Sequence, residues 1–431
     1  MLVKERKLEY KSVKGMDDIL PQDSWLWQDL EAKARGELER SGYAEIRTPI
    51  LEDTAVFVRG IGETTDIVTK EMFTFADRKE RSLTMRPEGT APIVRSYIEH
   101  SLENLSPVLR LYYIGPMFRA ERPQKGRSRQ FHQIGVEVIG TPSPLADVEV
   151  LSQIHGMLKI FGLDGCVIKL NSLGCRADKA AFADNLKKYL GDKGSLLCDD
   201  CRNRIDKNAL RVLDCKNESC AQVVRGAPNI LDSLCGPCKN HFDKVKETLR
   251  SLGIPFEETK NLVRGLDYYT ATVFEITHPA LGGQDAIGAG GRYDNLVKDM
   301  GGPDAGAVGY ALGIERILIA LKARGHGAAQ EKKVVYIATL GDAAKIEGMK
   351  IAGKLKVSVP VPGLVILTDI GEASLKSQMR SADKNGAAFV IILGEDELKE
   401  GTVAIKDMKG KGPQESIPID AVPEELRRRL C

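Results

Sequence analysis

Apolar residues recur with a helical period near the start of the chain. They follow Asp23-Ser24, which can cap a helix, and Ser41-Gly42 can end it. The predicted buried face consists of positions four apart: Leu26, Leu30, Ala34 and Leu38. Residues 43–48 then alternate like a strand, which stops at Pro49 because proline cannot continue a central ladder.

Two hairpins are predicted further along. Residues 109–119 and 130–140 are rich in β-branched and aromatic residues, and the segment between them is mostly polar or basic, which predicts a long antiparallel hairpin. A second hairpin is predicted from residues 272–277 and 284–288 across Gly282-Gly283, and an apolar helix from residues 311–323. This part of the chain therefore indicates an antiparallel sheet with helices.

The periodicity changes after residues 324–331, which lack any regular pattern and are typical of a linker. Beyond them, continuous apolar runs at 334–340, 364–367 and 389–393 alternate with helical segments at 342–356 and 374–385. We expect a large first domain over residues 1–325 and a small α/β domain over residues 332–431.

Composition narrows the class of protein. A chain of 431 residues exceeds what one hydrophobic core usually serves, and 42% hydrophobic with 28% charged residues is typical of a globular protein. The formal net charge is only +2, so binding to nucleic acid would have to come from local basic patches. No apolar run approaches a membrane span, and the charged first residues have no hydrophobic segment behind them, which favours a cytoplasmic location.

The returning strand of the first hairpin has two different faces. Its even positions include Ile134, Val136 and Val138, whereas its odd positions include Gln133 and Glu137. The even face is expected in the core. The odd face either opens on a ligand or is a solvated outer face, and both interpretations remain open at this point.

The loop between the two strands carries four cations and follows Arg119. Arginine binds phosphate oxygens bidentately and stays charged when partly desolvated, so a phosphate ligand suits this loop. A solvated basic turn is the alternative.

The segment Phe118-Arg119-Ala120-Glu121-Arg122, at a strand end before a basic loop, resembles motif 2 of the class II aminoacyl-tRNA synthetases. Residues 115–140 as a whole resemble the histidyl-tRNA synthetase version. Further segments resemble that family in the same order: residues 41–49 its motif 1, which builds the dimer interface; 86–91 its histidine-binding turn; 262–269 and 288–294 its two histidine-specific motifs; and 309–316 its motif 3.

The resemblance implies an α+β fold. It implies a class II antiparallel catalytic domain with a helical, cysteine-rich insertion over about residues 172–255, and a C-terminal α/β anticodon-binding domain. On the helices of that domain, side chains that could meet an RNA backbone or simply form solvated faces are Lys354, Lys356, Lys376, Arg380 and Lys384.

The implied reaction is the ATP-dependent ligation of L-histidine to tRNA(His) through a histidyl-adenylate, with release of AMP and diphosphate. ATP would act with Mg²⁺, and the protein would be a homodimer. No G-x-x-x-x-G-K-[ST] sequence occurs, so ATP is not expected to bind as it does in a P-loop.

The resemblance also implies residue roles. Arg264 is expected between the histidine carboxylate and the α-phosphate of ATP, with Arg119 as the second catalytic cation; a structural salt bridge from Arg264 to Asp267 or another acid is the alternative. The implied histidine ligands are Glu88, Gly89, Thr90, Gln133, Glu137, Arg264, Tyr268 and Tyr269. The implied ATP ligands are Arg119, Glu121, Arg127 and Arg316. The side chains expected to face the tRNA acceptor end are Arg122, Gln124, Lys125 and Arg129.

Six of the nine cysteines lie between Cys198 and Cys238. A structural zinc site is one interpretation, with ligands from two Cys-x-x-Cys pairs: Cys198, Cys201, Cys235 and Cys238. The interval between the pairs is longer than usual for such sites, and reduced cysteines packed in a small subdomain are the preferred interpretation.

Two other functions compete with ligation. The regulatory subunit of ATP phosphoribosyltransferase has the same catalytic fold, but it lacks the anticodon domain and the Arg264-type segment, and both are expected here. A zinc-dependent nucleic-acid-binding protein has only the segment from Cys198 to Cys238 in its favour.

Overall fold

Two units, residues 1–327 and 328–431, make up the chain. The computed structural model describes residues 10–63, 65–283, 285–325, 332–410 and 413–430. The predicted linker therefore lies largely outside the described residues, as does Gln284, where the second predicted hairpin strand begins. None of the described helices is both long and apolar enough to cross a membrane.

The first unit contains eleven strands and ten α-helices in its described part. The strands are β1 Ala44–Glu45, β2 Leu51–Asp53, β3 Phe73–Ala76, β4 Ser82–Met85, β5 Leu109–Phe118, β6 Gln130–Ile139, β7 Val167–Ser172, β8 Glu257–Glu258, β9 Thr270–Thr277, β10 Ala286–Arg292 and β11 Ala307–Gly313. The helices are α1 Pro21–Arg40, α2 Thr54–Ile61, α3 Thr90–Glu99, α4 Pro144–Ile160, α5 Arg176–Gly191, α6 Asp199–Asn208, α7 Glu218–Arg225, α8 Gly236–Ser251, α9 Leu296–Asp299 and α10 Ile314–Ala323. A π-helical turn spans Ile67–Glu71, and 3₁₀ turns span Leu102–Asn104, Gly194–Leu196, Ala209–Asp214, Ile230–Ser233 and Pro279–Leu281.

The central sheet of this unit has eight strands in the order β1-β5-β6-β11-β10-β9-β7-β8. Its inner pairs are antiparallel, as predicted, and only the two edge pairs β1/β5 and β7/β8 are parallel. Both predicted hairpins are present, as β5/β6 and β9/β10. A separate three-stranded sheet has the order β2-β4-β3.

Helices α1, α4, α8 and α10 cover one face of the central sheet and form its main core. The even positions of β6 pack there, and Ile134, Val136 and Val138 are fully buried, as predicted. The four apolar positions predicted for α1 are buried as well. Helices α3 and α9 belong to a second core on the odd side of β6.

Three local predictions were wrong in their bounds. Helix α1 begins at Pro21 rather than behind Asp23, because proline suits the first helical position, where no N–H is needed. Residues 43–48 form only the short edge strand β1, extended by one hydrogen bond from Ile46 N to Tyr112 O. Residues 311–313 belong to β11 and not to the helix, since a continuous apolar run fits a central strand as well as a buried helix.

Helices α5 to α8 fill the segment between β7 and β8. Helices α5, α6 and α7 share an apolar core of their own, whereas α8 packs in the main core. The core of the insertion includes Cys201 and Cys220, both fully buried, together with Tyr269 and Val273 of the adjoining segment. It therefore packs directly against Tyr269, which precedes β9, and Val273, which lies in β9.

The second unit is a five-stranded sheet with helices on both faces. Its strands are β12 Lys333–Thr339, β13 Leu364–Thr368, β14 Ala387–Leu393, β15 Thr402–Asp407 and β16 Glu415–Pro418, and its helices are α11 Asp342–Ser358, α12 Leu375–Lys384, α13 Glu395–Glu400 and α14 Val422–Leu430, with a 3₁₀ turn at Ile419–Ala421. The order is β13-β12-β14-β15-β16, parallel among the first three and antiparallel for the last two. Helices α11 and α14 share one core and α12 the other, so the basic residues of α11 and α12 cannot form a single face.

Candidate active site

A cavity of about 540 Å³ opens against the odd face of β6 and is walled by β9, β10, β11 and the turn before α3. Ten side chains that the sequence assigned to ligands lie on its wall: Glu88, Thr90, Arg119, Glu121, Arg127, Gln133, Arg264, Tyr268, Tyr269 and Arg316. The odd face of β6 is thus turned toward a cavity and not toward bulk solvent.

The other predicted residues lie elsewhere. Gly89 and Glu137 are buried beside the wall without lining it. Arg122, Gln124 and Lys125 are exposed on the loop between β5 and β6, and the half-buried Arg129 donates to Glu121 O at 3.3 Å. The tip of that loop is closed by two backbone hydrogen bonds between Gln124 and Arg127.

The turn before α3 fixes a carboxylate at the cavity. Glu88 accepts hydrogen bonds from Thr90 N at 2.7 Å and Ala91 N at 2.8 Å, so it caps the first turn of α3. Burial raises the pKa of Glu88, and these amides oppose that rise because they favour the charged form. A carboxylate held in this way suits an ammonium ligand.

Glu137 lies one layer below the wall. Its two oxygens accept from Thr90 Oγ1 at 2.6 Å and from the Tyr293 hydroxyl at 2.5 Å. Gly309 makes room for it, since a β-carbon there would lie 1.8 Å from Glu137 Oε2. Burial raises the pKa of Glu137 to about 8. Both hydrogen bonds orient side chains that do face the cavity.

Tyr113 also lines the cavity, although sequence reasoning missed it. Its ring occupies the space above two glycines: a β-carbon at Gly135 would lie 2.0 Å from the ring, and one at Gly89 2.3 Å from it. Gly135 is the register partner of Tyr113, so the small residue in an otherwise bulky strand was the available signal.

Tyr268 and Tyr269 stand side by side, with ring centroids 4.6 Å apart, and Tyr268 meets Tyr293 edge to face at 5.7 Å. The Tyr268 hydroxyl donates to Glu88 Oε2 at 3.4 Å. Burial raises the pKa of Tyr269 to about 12 and that of Tyr268 well above its usual value. Both phenols therefore stay neutral and keep their protons for donation.

Arg264 is held at the cavity by an ion pair. Its Nη1 donates to Glu275 Oε2 at 3.0 Å, whereas the buried Nε has no acceptor among the described residues. Arg264 therefore forms the salt bridge that was the alternative prediction, with Glu275 as the acid. It also lines the cavity. Burial raises the pKa of Tyr269 and nearby Arg264 opposes that rise, whereas burial lowers the pKa of Arg316 and nearby Glu275 opposes that fall. The pair therefore lies close to both groups of ligands.

A second arginine comes from the insertion. Arg211, in the 3₁₀ turn Ala209–Asp214, donates to Asp66 Oδ2 at 2.9 Å and to Gly265 O at 3.1 Å, beside Arg264. No motif pointed to it, because its approach to the cavity depends on how the insertion folds back.

Three arginines gather at the other end of the wall. Arg119 donates through Nε to Pro87 O at 2.9 Å and lies over the Phe131 ring, which leaves its terminal nitrogens free of hydrogen bonds within the described chain. Arg127 pairs with Glu121 at 3.2 Å. Arg316 donates to Gly126 O at 3.0 Å and to Ala286 O, so the loop and β10 fix its position.

Three buried polar side-chain atoms of the wall lack a hydrogen-bond partner in the described part of the chain: Gln133 Oε1, Arg211 Nε and Arg264 Nε. Leaving such a group unsatisfied costs about 1–3 kcal/mol. A polar ligand with both donors and acceptors would recover part of that cost, which indicates a cavity built for such a ligand.

Arg292, in the predicted histidine-specific segment 288–294, points away from the cavity. It is fully buried and donates to Asp147 Oδ2 at 2.8 and 3.0 Å, to Asp294 Oδ1 at 2.7 Å and to two backbone carbonyls. The neighbouring Tyr293 is the residue of this segment that reaches the wall.

The two Cys-x-x-Cys pairs do not form one site. Cys198 and Cys201 meet Cys215 and Cys220, whereas Cys235 and Cys238 meet Cys175 and Asp178. A single zinc ion held by Cys198, Cys201, Cys235 and Cys238 is therefore wrong, because α6 and α8 begin at different places in the insertion.

Comparison with known proteins agrees with this geometry. Residues 15–317 match the family model of histidyl-tRNA synthetase, and residues 334–429 that of the anticodon-binding domain. The histidine–tRNA ligases of Natranaerobius thermophilus and Thermosipho melanesiensis are 47% and 46% identical to the chain, over 97% and 96% of its length and 98% and 97% of theirs. The crystal structure of apo histidyl-tRNA synthetase from S. aureus superimposes with a TM-score of 0.79 at 36% identity, covering 97% of this chain and all of that one.

Proposed function

The chain belongs to the histidyl-tRNA synthetase family, and from that premise we propose that its central cavity joins histidine to ATP and passes it to tRNA(His). As a histidine–tRNA ligase the protein first forms histidyl-adenylate and diphosphate, and then the aminoacyl ester with release of AMP. The predicted fold class, with an anticodon-binding domain at the C-terminus, is confirmed by the same matches.

One observation carries the assignment of the cavity to this reaction. Carboxylate, amide and phenol groups, with Glu88 and Gln133 among them, share one wall with the cations Arg119, Arg127 and Arg316, and the ion pair of Arg264 with Glu275 lies close to both sets. An amino acid needs the first set and a triphosphate the second.

In the proposed roles, Glu88, Thr90 and Gln133 hold the histidine ammonium, and Gly89 keeps the turn close against Tyr113. Tyr268 and Tyr269 hydrogen-bond the imidazole, and Glu137 keeps Thr90 and Tyr293 in place. A pocket with such partners rejects a side chain that cannot hydrogen-bond by several kcal/mol, about 10⁴–10⁵-fold in rate, since its polar groups would be left unpaired.

Arg119, Arg127 and Arg316, with Glu121 positioning Arg127, are proposed to bind the phosphates of ATP. Arg264 stabilises the negative charge that develops when the histidine carboxylate attacks the α-phosphate. Mg²⁺ enters as part of the ATP substrate, and the wall carboxylate Glu315 is suited to hold it. When bound, the ion neutralises charge on the phosphates.

Three further proposals concern partners. The exposed loop residues Arg122, Gln124 and Lys125, together with Arg129, face the acceptor end of tRNA, and residues 332–431 bind its anticodon arm. The catalytic domain comprises residues 1–325, with an insertion over about 172–255. It forms a homodimer through motif 1 and the three-stranded sheet that follows it, where Ile50, Leu51 and Phe75 are 43%, 42% and 46% exposed. The enzyme works in the cytoplasm.

The test is ATP–pyrophosphate exchange by the purified chain with each amino acid in turn. Exchange that depends on histidine is the expected result. A chain without exchange, as expected of a regulatory subunit or of a nucleic-acid-binding protein, or one driven better by another amino acid, contradicts the proposal.

A further inference from the structure

Two clusters of potential metal ligands lie in the insertion, outside the cavity wall. The first comprises Cys198, Cys201, Cys215 and Cys220, and the second Cys175, Asp178, Cys235 and Cys238. Within each cluster all four ligand atoms lie within 4.8 Å of one another. We propose that each cluster binds one zinc ion, so that the chain holds two.

Both clusters contain a pair with Cys-x-x-Cys spacing, and the other two ligands of the first cluster, Cys215 and Cys220, are five positions apart. Each contains a Cys-x-x-Cys pair at the start of a helix, Cys198/Cys201 at α6 and Cys235/Cys238 at α8, and Cys175-x-x-Asp178 repeats that spacing at α5. Two ligands three positions apart at a helix start can chelate one ion. A second segment of this kind, with Cys175 and Asp178, completes the tetrahedron of the second cluster, and Cys215 with Cys220 completes that of the first.

The sulfur geometry of the first cluster fits one ion. A tetrahedral zinc with Zn–S bonds of about 2.3 Å has edges of about 3.8 Å, and Cys198 Sγ and Cys215 Sγ are 3.9 Å apart. A disulfide would bring them to about 2.05 Å. An iron–sulfur cluster would place some of its cysteine sulfurs further apart than the 4.8 Å within which all four lie here, because an inorganic core stands between them.

Backbone amides already point at the proposed ligands. Cys198 N donates to Cys220 Sγ at 3.2 Å. In the second cluster Cys235 N donates to Asp178 Oδ1 at 3.1 Å and Cys175 N to Asp178 Oδ2 at 3.3 Å. Each carboxylate oxygen keeps a lone pair for a metal, and hydrogen bonds of this kind orient ligands in known metal sites.

Reduced cysteines in an ordinary core act as small apolar residues and have no reason to turn toward one another. Here every sulfur of a cluster faces the other members. Only three helices, of 8 to 16 residues, surround the core of the insertion. Small folds of this kind often need a metal to supplement their apolar contacts.

The two sites lie behind the cavity wall and would hold residues of that wall in position. Cys201 and Cys215 flank the segment that carries Arg211, whose guanidinium donates to Asp66 and Gly265 at the wall. Cys175 follows Gly174, whose carbonyl accepts from Ala271 N at 2.7 Å, close to the tyrosine pair. The ions would therefore fix the position of wall residues without touching substrates.

The experiment is metal analysis of the untagged full-length protein after growth with zinc and removal of loosely bound ions. Two zinc ions per chain are expected for the native protein and for Cys166→Ser, a matched control because Cys166 lies outside both clusters. Cys201→Ser and Cys238→Ser should each lower the content to one.

Asp178→Cys tests the mixed site without removing it. This variant should keep two ions, and after exchange for Co²⁺ its thiolate charge-transfer absorption should exceed that of the native protein by the contribution of one thiolate. An unchanged spectrum would mean that Asp178 is not a ligand.

Other results overturn the proposal in whole or in part. Less than half a zinc per chain after reconstitution, or iron in its place, refutes both sites. One zinc that survives in Cys238→Ser but not in Cys201→Ser refutes the Asp178 site, and the opposite pattern refutes the four-cysteine site. The native content and the Asp178→Cys spectrum decide the matter even if the serine variants fail to fold.

Discussion

Replacing Arg264 by alanine should separate the binding of histidine from its activation. The guanidinium is fixed before substrates arrive, since Glu275 holds Nη1 at 3.0 Å, and its buried Nε awaits an acceptor. A cation placed in advance needs no reorganisation when charge develops in the transition state. The amino and imidazole groups of histidine have other proposed partners.

The magnitude follows from that geometry. Loss of one preorganised group that stabilises developing charge costs about 2.7–4 kcal/mol, or roughly 10²–10³-fold in rate. Histidine affinity should change by less than about tenfold, or 1.4 kcal/mol. Alanine also leaves the Glu275 carboxylate unpaired near the phosphates, so part of the loss comes from repulsion. The double variant Arg264→Ala/Glu275→Gln should recover that part, and Glu275→Gln alone should lose less than about tenfold.

The assay combines calorimetric histidine binding with the rate of pyrophosphate exchange. A rate that falls far more than affinity, with partial recovery in the double variant, is expected. Equal losses in binding and rate would mean that Arg264 serves only to hold the pocket together. Full recovery in the double variant would remove any role for its charge.

Three other changes test the site and its support. Arg292→Ala leaves buried Asp147 with only His241 Nε2, at 3.5 Å, and should lower the free energy of unfolding by about 3–5 kcal/mol in urea titrations. An unchanged midpoint would contradict a structural role for Arg292. Burial raises the pKa of Glu137 to about 8, so between about pH 5 and 8 the folded protein holds a proton that the unfolded chain has released. The free energy of unfolding should therefore fall as pH rises from about 5 to 8, by up to about 1.4 kcal/mol per pH unit. Glu137→Gln should remove that slope in urea titrations across this range, and an identical slope in both proteins would refute the assignment. Gly135→Ala should push the Tyr113 ring into the cavity and raise the KM for histidine at least tenfold with a smaller relative change in kcat, a pattern that steady-state exchange kinetics would check; an unaltered KM would mean that the ring moves freely.

Regular patterns in the sequence predicted the long hairpin and the helix α1 face correctly, because alternation and four-residue spacing report burial directly. The helix predicted for residues 311–313 was wrong, because an apolar run at the centre of a sheet has no periodic pattern. The antiparallel strands β15 and β16 were not predicted, since they are short and the residues on either side of them are mostly polar.

At the site, residues inside contiguous motifs could be found from the sequence, among them Arg264 and Gln133. Tyr113, Arg211 and Glu275 could not, because their approach to the cavity depends on strand register and on the fold of the insertion. The same reason explains the cysteines: spacing identified the pairs, but only the packing of α5 to α8 decides which pairs meet.

Aminoacylation of a tRNA(His) transcript by the purified chain tests the central claim most directly. Radiolabelled histidine should enter the acid-precipitable tRNA in an ATP-dependent reaction, and a tRNA for another amino acid should remain uncharged. No charging of tRNA(His), or its charging with a different amino acid in the same assay, would contradict the account.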